Sequence, residues 1–171
     1  MISKKLESML NEQMKNEFFS AYFYLSMAAW FTSKNLNGFA NWYTVQAQEE
    51  RDHAKMIMDY VLRVGGNAEF LAIEAPDTNF TSPMDIFEKT LAHEQKVTGM
   101  INDLMGAAMD ERDFKTQHFL QWYVNEQVEE EENASGLIEK LRISNNSEAG
   151  ILYMDAEAAA RVYTPAVQAT T

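Results

Sequence analysis

The 171-residue chain is 46% hydrophobic and 23% charged, the balance of one globular domain with a real core. Its net charge of −12, from 26 acidic against 14 basic residues, excludes the basic footprint that direct nucleic-acid binding requires, and the lack of cysteine excludes disulfides, thiolate metal sites and a catalytic thiol. The opening "MISKKLESML" has no apolar h-region, so no signal peptide is expected, and no apolar run approaches the roughly 20 residues that span a bilayer, so the expected address is cytoplasmic with no membrane partner.

Helical periodicity dominates from end to end, and alternating strand patterns are weak. The spacing predicts a first helix over 4–33, with Ser3 as its N-cap, then a turn at Asn35 to Gly38. A second helix over 39–64 stops at Gly65-Gly66, the residue type expected just past a helix C-terminus. Ser82-Pro83, with Asp85 two residues on, opens a third helix that reaches 110. A fourth runs from Asp113 to Arg142, "SNNS" at 144–147 breaks it, and a short fifth covers 148–161. The single domain is thus expected over 1–161, with 162–171 as a loosely held tail.

The connection over 66–82 sets the topology. A long helix of about 28 residues is about 42 Å long, and seventeen extended residues reach about 56 Å. Such a loop can run the full length of a bundle and start a helix parallel to the one before it, whereas the other long-helix connections are short and imply antiparallel neighbours. The expected fold is all-α: a four-helix bundle with a long crossover between its second and third helices, plus the short fifth helix.

Steps of three and four trace one buried stripe along each helix. The first runs Leu6, Leu10, Gln13, Glu17, Ala21, Tyr24, Ala28, Phe31, and the second Phe39, Trp42, Gln46, Glu50, His53, Ile57, Tyr60, Val64. The third runs Phe87, Thr90, Glu94, Val97, Ile101, Leu104, and the fourth Phe119, Tyr123, Gln127, Glu130, Ala134, Leu137, Leu141. Every stripe carries one glutamate near its middle. His53 adds an imidazole at i+3 from Glu50, and Gln127 an amide at i−3 from Glu130. Four buried carboxylates are costly to desolvate and repel one another. Two divalent cations would balance them, and oxygen ligands with one imidazole suit Fe(II) or Mn(II).

With Glu17, "EERDH" at 49–53, "HEQ" at 93–95 and "QWYVNEQVEEE" at 121–131 on four successive helices, the sequence resembles the non-haem prokaryotic ferritins over residues 1–160. The resemblance implies a ferritin-like di-iron ferroxidase that oxidises Fe(II) with O2 or peroxide and stores ferric mineral inside a shell of twenty-four identical subunits. It implies one iron on Glu17, Glu50 and His53, and a second that shares Glu50 and adds Glu94 and Glu130. Gln127 would hydrogen-bond an oxygen species or water beside them. Tyr24 matches the family tyrosine that supplies an electron, and reads equally as a core tyrosine with a satisfied hydroxyl. Glu49, Glu126 and Glu129 match a third iron position, with an acidic cavity lining as the alternative reading.

The departures from related families carry expectations too. Bacterioferritins repeat E-x-x-H on the fourth helix and place a haem-binding methionine after the first such glutamate; here stand Gln127-Val-Glu129-Glu130 and Arg51, so no haem is expected. Animal ferritins line a three-fold pore with acidic residues where this chain has Gln117 and Leu120. Rubrerythrins need cysteines that are absent. Two other classes remain in competition: a di-iron oxygenase or peroxidase without mineral storage, and a non-enzymatic acidic scaffold. Glu131 and Glu132 are expected to be solvated, and His93 and His118, without stripe partners, to be surface or interface residues.

Overall fold

The computed structural model describes residues 2–166. Five helices follow in order: α1 (Lys4–Ser33), α2 (Asn37–Arg63), α3 (Pro83–Asp110), α4 (Phe114–Ile143) and α5 (Glu148–Ala158), with no strand among the described residues. Side chains cap four of the five N-termini. Ser3 accepts from the Leu6 amide, Ser82 from Asp85, Asp113 from Thr116 and Ser147 from Gly150. The C-termini of α1 to α4 close alike, with a residue of positive φ just past the end: Asn35, Gly65, Arg112 and Asn145. The next amide then reaches back to a carbonyl in the last turn, Leu36 to Phe31, Gly66 to Val61, Asp113 to Ala108 and Asn146 to Leu141.

The core consists of two hydrophobic clusters separated by a polar waist. One gathers Leu6, Leu10 and Met14 of α1 with the C-terminal halves of α2 and α3 and the start of α4. The other gathers Tyr24, Met27 and Phe31 of α1 with the N-terminal halves of α2 and α3 and the end of α4, and takes in Met154 and Ala158 of α5. This pairing of ends makes α1 and α4 run one way and α2 and α3 the other, the expected topology. The crossover between α2 and α3 has no regular structure, and the buried Asn11 side chain clamps its start. Asn11 donates to the Asn67 carbonyl and accepts from the Glu69 amide, both at 2.9 Å.

Two boundaries differ from the sequence reading. The expected turn at Asn35 to Gly38 is shorter, because α2 already begins at Asn37, and α5 ends at Ala158 rather than at 161. The early start of α2 has a partner in α5. α5 lies across the start of α2, and the Asp155 carboxylate accepts from the Phe39 amide at 2.8 Å, capping a helix that has no cap of its own. A Cβ at Gly38 would fall 1.6 Å from the Asp155 carbonyl oxygen, so glycine is required there for close approach and not for a turn. The chain then leaves α5 along α2. Tyr163 donates to Asp52 at 2.6 Å and the Ala166 amide to the same carboxylate at 3.1 Å, so residues 163 and 166 of the expected loose tail are pinned; residues 167–171 lie outside the described residues.

Helix propensity alone favours alanine over glycine by about 1 kcal/mol. The clash at position 38 reverses the sign: Gly38→Ala is expected to lower stability by about 1–3 kcal/mol, as overpacking does. Thermal unfolding checks it, and a raised Tm would show that α5 does not dock on Gly38.

Candidate metal centre

The waist is where each long helix presents its mid-stripe glutamate. Glu17 (α1), Glu50 (α2), Glu94 (α3) and Glu130 (α4) are 2%, 3%, 2% and 5% exposed, too little for water to solvate a carboxylate. Ligand atoms of Glu17, Glu50 and His53 all lie within 4.8 Å of one another. His53 Nδ1 is 3.4 Å from Glu50 Oε2. Its Nε2 is buried, with no hydrogen-bond partner among the described residues, 3.9 Å from Glu126 Oε1. An orphaned buried nitrogen costs about 1–3 kcal/mol. A divalent cation held by this imidazole and its carboxylates would offset that cost and the repulsion together, and the donor set suits Fe(II).

Neutral groups hold the carboxylates in place. Gln13 donates to Glu17 Oε1 at 2.8 Å, and Gln46 to Glu130 Oε2 at 2.7 Å and to Glu50 Oε1 at 3.4 Å. The Tyr24 hydroxyl donates to Glu94 Oε1. Gln127 Nε2 donates to the Glu94 carbonyl and to Glu94 Oε2, each at 3.2 Å, so this amide orients a carboxylate. Behind the imidazole, the Tyr123 hydroxyl donates to the His53 carbonyl at 2.7 Å, and Trp122 packs edge-on at 5.2 Å. No lysine or arginine pairs with any of the four carboxylates among the described residues. Amides and hydroxyls fix direction and leave the positive charge to be supplied from outside.

Burial is the largest influence on all four acids. It pushes Glu17, Glu50 and Glu130 well above the ordinary carboxyl value and raises Glu94, and the neighbouring carboxylates add to the rise at Glu17, Glu50 and Glu130. Tyr24 is driven well up by burial and by Glu94, so its hydroxyl stays a donor.

The outlying acids divide. Glu49 forms an ion pair with Arg161, Glu126 faces His53, and Glu129 is exposed. Glu126 feels the charge of Glu129, and Glu49 that of Glu126, so the three are electrostatic neighbours. Two expectations are corrected. Glu131 is partly buried and accepts from the Thr98 hydroxyl at 2.6 Å, because that face of α4 turns toward α3. His93 has partners after all: its Nε2 is 2.8 Å from Ser20 Oγ, and its ring meets Tyr24 edge-on at 5.8 Å. Burial lowers its pKa to about 4 and keeps it neutral. Glu132 and His118 are exposed, as expected.

Gln13 and Gln46 lay on the predicted stripes without a role. The signal for one was present, since each stands four residues before a waist glutamate, one helical turn away. Arg161 had no such signal: its contacts with Gln46 and Glu49 span more than a hundred residues of sequence.

Known proteins resemble this chain in sequence and in fold. The family described as Ferritin-like domain matches residues 7–144. A bacterial non-heme ferritin of Staphylococcus saprophyticus is 44% identical over 164 residues, 95% of this chain and 98% of its own. One from Bacteroides fragilis is 38% identical over 157 residues, 92% and 98% respectively. The open pore ferritin of the hyperthermophilic archaeon Archaeoglobus fulgidus superposes with a TM-score of 0.93 at 45% identity, covering 95% of this chain and 100% of that one. The chain belongs to the ferritin family of iron-storage proteins.

The raised carboxyls set a pH dependence. Between the ordinary value of 4.5 and the higher folded value, the folded state holds more protons than the unfolded one. Stability contributed by these groups is therefore complete below about pH 4.5 and lost as pH rises through the folded value. Glu17→Gln, which cannot ionise, is expected to gain Tm over the parent by more at pH 8 than at pH 5 in metal-free buffer. Calorimetry at both pH values checks this, and equal differences would mean that Glu17 is not held protonated.

Proposed function

We propose that the chain is a ferroxidase subunit, oxidising Fe(II) at the waist and passing ferric iron to a mineral core inside a shell of twenty-four copies. The observation that carries this reading is the buried group of Glu17, Glu50 and His53, with an orphaned imidazole nitrogen, at the level where all four long helices present a carboxylate. Glu17, Glu50 and His53 hold one Fe(II) substrate ion. Glu50 is shared with a second, held also by Glu94 and Glu130. Gln127 and Tyr24 fix Glu94. Two Fe(II) ions lose one electron each. The acceptor is O2, which leaves with two protons as H2O2, or H2O2, which leaves with two protons as two waters. The four carboxyls release protons as iron enters, so uptake strengthens as pH rises. Glu49, Glu126 and Glu129 take a third, weaker iron on the way to the cavity.

No helix among the described residues is long and apolar enough to cross a membrane. Phe70, Ile143 and Tyr153 are 73%, 81% and 74% exposed on the isolated chain, apolar surface that assembly would cover. The shell is proposed to work in the cytoplasm.

Glu50→Ala and His53→Ala are each expected to slow the initial oxidation of Fe(II) about 100-fold or more while the bundle stays helical. Stopped-flow absorbance with circular dichroism checks both, and unchanged rates would refute the site. Glu129→Ala is expected to keep the fast first phase and alter later turnover. Size-exclusion chromatography should place the assembled protein near about 470 kDa, twenty-four chains of 19.6 kDa; a monomer would end the storage reading.

A further inference from the structure

Beyond the end of α5 the chain becomes a strap along α2. The Asn41 amide donates to the Arg161 carbonyl at 2.9 Å and holds that residue's backbone. The Arg161 guanidinium lies over the Trp42 ring, 4.2 Å from its centroid. Its Nη1 donates to Gln46 Oε1 at 2.8 Å, and its Nη2 donates to Glu49 Oε2. The fork thus ties together a neutral amide and a carboxylate that lie three residues apart on one face of α2.

Gln46 has one acceptor end and one donor end. The donor end is committed to Glu130 and Glu50 in the waist. A flip of the amide would turn its oxygen against two carboxylate oxygens, and Arg161 opposes the flip by occupying that oxygen. Glu49 is meanwhile the carboxylate that stands beside Glu50 in sequence and senses His53 and Glu126. Its positive neighbour is supplied by the chain itself.

We propose that Arg161 is a positioning residue for iron, acting at two points: it locks the Gln46 amide onto the Glu130 and Glu50 ligands, and it is the resident counter-cation at Glu49 that a third iron must displace. This rests on the ferroxidase reading above for the identity of the metal and goes beyond it, since it makes the C-terminal strap a determinant of how tightly the outer ion is held.

The test is anaerobic calorimetric titration of the assembled, metal-free protein with Zn(II), a redox-silent probe, compared across variants of equal helicity. In Arg161→Ala the third ion is expected to bind about five- to tenfold more tightly, the scale of one partly buried charge pair, and the weaker of the two tight ions about threefold more weakly. Adding Glu49→Gln to Arg161→Ala should abolish the gain at the third ion. Gln46→Leu should reproduce the weakened tight ion without any third-ion gain. Arg161→Lys, which keeps the charge but not the fork, should leave the third ion near its parental affinity. Arg161→Gln retains a stem over Trp42 and carries the test if the alanine variant does not assemble. A third-ion affinity unchanged by loss of the arginine, or a gain that survives Glu49→Gln, overturns the proposal. A parent protein that binds no pair of tight ions refutes the ferroxidase reading instead.

Discussion

Four carboxylates at one level of a helical bundle are an electrostatic demand that no lysine or arginine pairing among the described residues meets. Glu17, Glu50, Glu94 and Glu130 are all but sealed from water, and the groups that reach them are amides, hydroxyls and one imidazole. Replacing any of these carboxyls by an apolar residue of similar size would relieve the metal-free fold, as is common for buried ionic groups. The layer therefore makes sense through the iron proposed to bind there. The division of the core follows from it: each hydrophobic cluster stabilises one end of the bundle, and together they hold the polar layer at a defined height.

The same demand explains the choice of supporting groups. A lysine or arginine in the waist would neutralise a carboxylate permanently and exclude an incoming ion. Gln13, Gln46 and Gln127 instead restrict carboxylate rotation while contributing no net charge. Arg161 sits a helical turn outside the layer and pairs with Glu49, which is 20% exposed. Charge is thus graded from a fully buried, uncompensated centre to a partly compensated rim.

Most of this was legible in the sequence, because its signals were local. Helical period, Ser and Asp caps, and the Gly65 stop located α1 to α4 within two residues, and the length of the crossover disclosed the parallel pair. The waist glutamates showed as polar interruptions of apolar stripes, each readable within a single helix. The errors fall where meaning came from elsewhere in the fold. Gly38 carries the composition of a turn yet lies in a helix, because a backbone 117 residues away presses against it. His93 lies off the α3 stripe, and only the approach of Ser20, Phe23 and Tyr24 from α1 encloses it. Arg161 had the look of a helix-terminal surface residue. No periodicity could have paired it with Gln46.

The docking of α5 on Gly38 has a consequence for inheritance. Gly38 admits the helix, Asp155 fastens it by capping α2, and Arg161 extends the attachment to the waist, so one position in α2 and two more than a hundred residues later serve one contact. A side chain at 38 that pushes α5 away also removes the setting in which Asp155 and Arg161 contribute. Their effects must then be strongly non-additive, with the second loss costing much less than it would alone. Such positions are epistatic: a lineage that lost the glycine would feel little selection to keep the aspartate or the arginine, and the strap would drift away as a unit while the four carboxylates remained.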